Sequence, residues 1–173
     1  MIEGKYKQFV TDPEDALPYI EYLKYLADYQ FGAEVGNCLF GSNKAFKIQR
    51  SVNTWRIRNV LSEDGLFLVL RPQDGLFSLT LASGVSIKEC LPSPKLRVIV
   101  KDEVASVILE EGNVFAKHVK NVDKSLRNGD EAIVVSEDDK LLAVGKVRLS
   151  GEEMMEYKRG VAVTVRERWK IRK

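Results

Sequence analysis

The sequence predicts an α+β protein in two parts. The first is an N-terminal α+β domain, one helix packed on an antiparallel sheet; the second is a small mixed β-barrel with two short helices. Three observations predict this. Apolar residues recur at helical spacing between Leu17 and Tyr29, and short alternating runs broken by turn residues fill positions 46–87. Two prolines, Pro92 and Pro94, then interrupt the chain, and many short strand-like runs follow with only two helical stretches. The break separates residues 1–91 from residues 95–173.

Asp12-Pro13-Glu14-Asp15 reads as a helix start, with Asp12 as cap, Pro13 in the first turn and two acids at the positive end of the dipole. Leu17, Ile20, Tyr22, Leu23, Leu26 and Ala27 carry the helix to about Tyr29. The glycine-rich stretch 32–42 reads as a loop or strand bend. Phe46/Ile48, Trp55/Ile57, Leu66/Leu68/Leu70, Phe77/Leu79/Leu81 and Val85/Ile87 alternate, with turns at 62–65 and at Asp74-Gly75, as in hairpins. Leu91-Pro92-Ser93-Pro94 cannot lie inside a sheet and forms a short stiff connector. Beyond it, 96–100 reads as a buried strand and 102–109 as a helix ending at Gly112. Strands follow at 114–119, 132–135 and 141–149. Ser150-Gly151-Glu152-Glu153 opens a short helix to Tyr157, and 160–166 is the last strand.

Charge is unevenly placed. Residues 1–94 hold ten Lys or Arg against eleven acids, and residues 95–173 hold seventeen against fourteen. From Lys158 to Lys173 seven cations accompany one acid, Glu167. Alternation sets Val161, Val163 and Val165 on one face and Arg166, Arg168 and Lys170 on the other, an arrangement suited to a phosphate backbone. The rest of the composition narrows the class. Cys38 and Cys90 make neither a zinc pattern nor a disulfide framework, and read as reduced, core-type cysteines of a cytoplasmic protein. The N-terminus has no apolar leader and no run reaches membrane-spanning length, so no membrane partner is expected. His118, the sole histidine, has no ligand or triad partner at useful spacing, and the pairs Glu110-Glu111, Asp138-Asp139 and Glu152-Glu153 read as helix-end or turn acids. No catalytic residue, cofactor or metal site is expected, and the chain reads as a binding module rather than an enzyme.

Several motifs together carry a resemblance. LRVIV at 96–100, GNVFAKHV at 112–119, GDEAIVVSEDDKLLAVGKVRLSGEEM at 129–154 and RGVAVTVR at 159–166 resemble the PUA domain, named for pseudouridine synthases and archaeosine transglycosylases. The likeness covers residues 96–168. ADYQFG at 27–32, RIRNV at 56–60 and RPQDGLFSLT at 71–80 are similar to the domain before the PUA in archaeal tRNA-guanine transglycosylase. The same pair ends archaeosine synthase. The chain has no room for the transglycosylase's catalytic barrel or its zinc-binding cysteines. The resemblance therefore implies RNA recognition without base exchange: tRNA or another structured RNA, held by stem phosphates and a single-stranded end. It also implies two narrower roles, an accessory subunit of a tRNA-modification enzyme or a translation-factor-like protein on the small ribosomal subunit.

In such domains the resemblance implies a groove lined by the glycine-centred loop and the last strand. Here that gives Gly112, Asn113, Val114, Phe115 and Lys117 from the loop, Lys120 beyond it, and Arg159, Gly160, Arg166 and Arg168 from the strand. Gly112 allows a sharp helix-to-strand turn with exposed N–H groups, and reads equally as a helix C-cap. Strand alternation would put Phe115 and Lys117 on one face and His118 and Lys120 on the other; Phe115 also reads as a core residue. Arg56, Arg58 and Arg71, with Trp55, Tyr29, Gln30 and Phe31, form a second candidate RNA surface that mixes aromatics with cations.

Overall fold

Glu14 and Asp15, read as the first turn of a helix, are extended instead. They form β1 (Glu14–Asp15) and pair antiparallel with Ile48 and Lys47. The carboxylate that serves the helix start is Asp15, whose Oδ1 accepts from the N–H of Leu17 at 2.9 Å. A 3₁₀ turn (Leu17–Tyr19) then leads into α1 (Ile20–Phe31). The computed structural model describes residues 9–41 and 43–170; Ser42 and the tail cations Arg172 and Lys173 lie outside them. The chain forms two compact units, Met1–Ser83 and Gly84–Lys173.

In the first unit, the stretch expected as a loop contains α2 (Val35–Phe40). Asp28 accepts the Gly36 N–H at 2.7 Å, and a Cβ at position 36 would sit 2.4 Å from the Lys24 carbonyl oxygen. Glycine is required there because α1 and α2 meet backbone to backbone. The strands β2 (Lys47–Arg50), β3 (Ile57–Ser62), β4 (Gly65–Leu70) and β5 (Phe77–Leu79) complete an antiparallel sheet of order β1-β2-β3-β4-β5. Phe40, Phe46, Phe67 and Phe77 are buried against one another, with ring centroids 5.1 to 6.2 Å apart. Gln30 clamps α1 to the sheet: its Nε2 donates to the Phe77 carbonyl at 2.9 Å, and its Oε1 accepts the Phe77 N–H at 2.7 Å.

The alternation Leu81, Val85, Ile87 does not make a strand. These residues lie in α3 (Leu81–Cys90). Thr80 and Ser83 exchange side-chain and backbone bonds, Thr80 N–H to Ser83 Oγ at 2.9 Å and Ser83 N–H to Thr80 Oγ1 at 3.3 Å. This reciprocal pairing is a capping box with serine in place of the usual Glu or Gln, and it starts the helix. Neither Cys38 nor Cys90 is a free thiol, against the reduced state expected from the sequence. Among the described residues no helix is long and apolar enough to cross a membrane.

The second unit runs β6 (Arg97–Val100), α4 (Asp102–Glu110), β7 (Val114–Phe115), a 3₁₀ turn (Ala116–His118) and β8 (Val119–Val122). It continues through β9 (Glu131–Val135), β10 (Leu141–Val147), α5 (Gly151–Glu156) and β11 (Val161–Arg168). The sheet order is β7-β11-β10-β9-β6-β8, with β6 and β9 parallel and its other pairs antiparallel. The strand expected over 114–119 is thus broken by a 3₁₀ turn. That turn joins the two outermost strands, so the sheet curls into a nearly closed barrel. β9 is buried along its whole length, and Val98, Val100, Val144, Val147 and Val163 have no exposed surface. Ser150 caps α5 as its sequence indicates: its N–H donates to Glu153 at 2.7 Å and its Oγ accepts the Glu153 N–H at 3.2 Å.

One side chain gathers several of these elements. Arg97 is 1% exposed, and its guanidinium donates to Asp139 at 2.7 and 3.3 Å, to the Lys95 carbonyl at 3.0 Å and to the Lys88 carbonyl at 2.9 Å. It therefore ties the end of α3 and the proline connector to the β9–β10 turn. Truncating it leaves two carbonyls and a half-buried carboxylate without their donor. Arg97→Ala is expected to cost about 3 kcal/mol, read as a lower urea midpoint with an unchanged slope.

Candidate nucleic-acid interface

The glycine loop and the last strand are held side by side over their full length. Gly112 follows α4 with φ 87°, is exposed, and has nothing within 4 Å of where a Cβ would stand. Arg168 donates to the carbonyls of Ile108 at 3.3 Å and Gly112 at 3.2 Å, covering acceptors that the end of α4 leaves unpaired. Asn113 Oδ1 accepts the Val165 N–H at 3.0 Å. Val114 and Phe115 then pair with Val163 and Val161, and the Ala116 N–H donates to the Gly160 carbonyl at 2.9 Å.

This seam sorts the expected residues. Val114 is fully buried, so its side chain belongs to the core. Phe115 is 40% exposed and is no core residue; it sits over the rim with Lys117 beside it and Ala116 buried between them. His118 does not face away from Phe115. A 3₁₀ turn brings i and i+3 together, and the two rings meet edge-on at 5.6 Å while His118 Nδ1 accepts the Phe115 N–H at 3.4 Å. Lys117, Lys120 and Arg159 are exposed, and no ion pair among the described residues engages them. Arg166 and Arg168 differ from them. Arg166 is paired with Glu131, whose side chain has no exposed surface, and Arg168 serves the end of α4. Met155 and Tyr157, half exposed at the end of α5, add apolar surface where α5 packs on the 3₁₀ turn. Nothing in the sequence singles them out, because both fall in a stretch that reads as an ordinary short helix.

In the first unit Arg56, Arg58 and Arg71 do converge. They line one cavity of about 680 Å³ together with Tyr22, Ile57 and Leu70. Gln30 and Phe31 are not part of that surface: Gln30 is the clamp on Phe77 and Phe31 is buried. Tyr29 is exposed on α1. Trp55 is exposed and shares the Arg50 guanidinium with Tyr19, at 5.8 and 5.0 Å from the two ring centroids. Among the described residues no cluster of His, Cys, Asp or Glu is arranged to hold a metal ion.

Two outcomes follow from these contacts. Burial first, then the ammonium groups of Lys117 and Lys101, push the His118 pKa below its ordinary value, against the opposing pull of Glu103. The unfolded chain therefore takes up the proton first as pH falls. His118 contributes stability that is complete above about pH 6.5, the free-imidazole pKa, and lost as pH drops through the lower folded value. Thermal melts of the wild type should fall through that window, and His118→Gln should flatten the fall. Separately, Arg166→Glu would set a carboxylate against buried Glu131 and is expected to destabilise by about 3 kcal/mol or more, whereas Arg166→Lys keeps the charge and most of the stability.

Comparison with known proteins follows the same division. Residues 21–94 match the patch-forming domain C2 of tRNA-guanine transglycosylase, and residues 96–168 match the PUA domain. A tRNA-guanine(15) transglycosylase of Methanothermobacter thermautotrophicus is 36% identical over 166 residues, which is 96% of this chain and 25% of the relative. That of Thermoplasma acidophilum is 37% identical over 145 residues, 84% of this chain and 22% of the relative. The chain thus spans about a quarter of the length of these curated relatives. Among solved structures, a hypothetical protein of Pyrococcus horikoshii superposes with TM-score 0.69 at 22% identity, covering 92% of this chain and 93% of that one. A conserved PUA-domain protein of Thermoplasma acidophilum gives 0.60 at 17% identity, covering 90% and 91%. Both share the fold. The chain is a PUA-domain protein, its PUA domain preceded by a domain of the transglycosylase C2 type.

Proposed function

We propose that this chain is a non-catalytic RNA-binding protein of the cytoplasm that holds tRNA, or another structured RNA, along the seam between the glycine loop and β11. The observation that carries the reading is the backbone join of 114–116 to 160–163, which holds the glycine loop against the start of β11, with Phe115, Lys117, Lys120 and Arg159 exposed. Exposed cations meet stem phosphates, the exposed Gly112 turn lets a phosphate approach closely, and the Phe115 ring meets an unpaired base. Arg166 and Arg168 bear on the RNA through their contact with Glu131 and the end of α4, which fixes the strand that presents the others. The relatives' role as tRNA-guanine(15) transglycosylases supports tRNA as the RNA, and supports an accessory role beside a tRNA-modification enzyme.

The test is binding of the full chain to tRNA, and to the same tRNA without its 3′ single-stranded end, across a salt series. Loss of the end should weaken binding. Arg159→Glu and Lys117→Glu should each weaken it several-fold and lower the salt slope by about one. Equal affinity for both RNAs, with a slope untouched by either substitution, would overturn the reading.

A further inference from the structure

The first unit carries a recess that the seam on the PUA domain does not use. One wall is Arg56, Ile57 and Arg58 at the start of β3; the other is Leu70, Arg71 and Pro72 at the end of β4. Antiparallel pairing of Asn59 with Val69 brings these segments together. Tyr22 of α1, 56% exposed, lines the same space. At about 680 Å³, the recess falls within the size of small-ligand clefts, roughly 300–1,000 Å³.

Its charged lining residues are all arginines. Three guanidiniums line it, and none of its lining residues is Asp or Glu. Arg71 is held in place by Asp74 at 3.1 and 2.7 Å, and Arg58 donates to the Leu70 carbonyl at 3.4 Å. Two of the three are therefore pre-oriented, which lowers the ordering cost of meeting an anion. Arg56 is exposed, and no hydrogen bond or ion pair of its side chain is formed among the described residues. An inorganic anion would leave Tyr22, Ile57 and Pro72 unused. A purely apolar ligand would leave Arg56 without an anion. The ligand that satisfies both walls joins an anion to a flat aromatic ring.

We infer that this recess binds a nucleoside phosphate, with the base against Tyr22 and the apolar wall and the phosphate at Arg56 and Arg58. The same chemistry comes from a free mononucleotide or from an unpaired residue of an RNA strand. The inference stands on the first unit alone and does not depend on the PUA seam.

Calorimetric titration of the full chain with AMP, GMP, CMP, UMP, adenosine, inorganic phosphate and single-stranded hexanucleotides tests it. At least one monophosphate should saturate a single site, with adenosine and phosphate about tenfold weaker or more. Arg56→Glu should raise that Kd about tenfold, with an unchanged thermal melt as its folding control. Tyr22→Ala should weaken binding, Tyr22→Phe should retain it, and Arg159→Glu should leave it unmoved. A hexanucleotide bound about tenfold tighter than its monomer, and lost with Arg56→Glu, assigns the site to a strand; equal affinity assigns it to free nucleotides. No saturable binding, equal binding of phosphate alone, or binding that ignores Arg56→Glu overturns the inference. Loss of tRNA binding in Arg159→Glu with nucleotide binding intact, or the reverse, keeps the two readings separate.

Discussion

A carboxylate with no exposed surface needs a cation, and in the PUA domain Arg166 supplies it to Glu131. Leaving Glu131 unpaired would strand a charge in the barrel wall, at a cost larger than any single surface contact returns. The pair fixes β11 against β9 across the intervening strand β10, and β7 in turn hangs on β11. The glycine loop is thereby placed by an interaction between two residues 35 apart in the chain, neither of them in the loop. The charge of Arg166 answers to Glu131 before it answers to any phosphate.

The same strand shows how a short β7 is made sufficient. Pairing with β10 shifts register between Val144 and Gly145, where two residues of β11 oppose one of β10. A Cβ at Gly145 would stand 2.3 Å from the Thr164 carbonyl oxygen, so the strands approach there only because position 145 is glycine. On the other side of β11, the turn at Gly112 leads into β7 and the 3₁₀ turn at Ala116 ends it after two residues. Asn113 completes the ladder with its side chain, taking the Val165 N–H. Arg168 then covers the carbonyls that α4 leaves open. Asn113 and Arg168 thus substitute side chains for missing backbone pairing, and together they hold the glycine loop in a defined place.

Much of this was legible locally, and the errors have local causes. The valine-rich strands of the barrel and the Ser150–Glu153 cap are written in short spacings, and both form as read. Residues 81–87 alternate like a strand, yet the Thr80–Ser83 box starts a helix; two hydroxyls in place of an acidic partner hid it. Gly36 looked like a loop residue because its reason, close passage past the Lys24 carbonyl, is tertiary. The two halves of the candidate seam were named from the resemblance, but the employment of Arg166 and Arg168 was not. Their partners are 35 to 60 residues away, beyond any periodicity. Arg56, Arg58 and Arg71 sit on one hairpin, so their convergence follows from register once the hairpin is granted.

The division of labour among the cations also explains why net charge is a weak guide to this protein. Of the basic residues that crowd the last strand, Arg166 and Arg168 stabilise the barrel, while Lys158, Arg159 and Lys170 are exposed, as are Lys117 and Lys120. Few outward charges give a shallow salt dependence. Under the proposed reading, discrimination comes from what the seam presents: the exposed turn at Gly112, the exposed ring of Phe115 and the cation Lys117. A-form grooves present shape and phosphates rather than sequence to such a surface. Arg166 and Arg168 are thus committed to Glu131 and to the carbonyls of Ile108 and Gly112 before they can serve a phosphate.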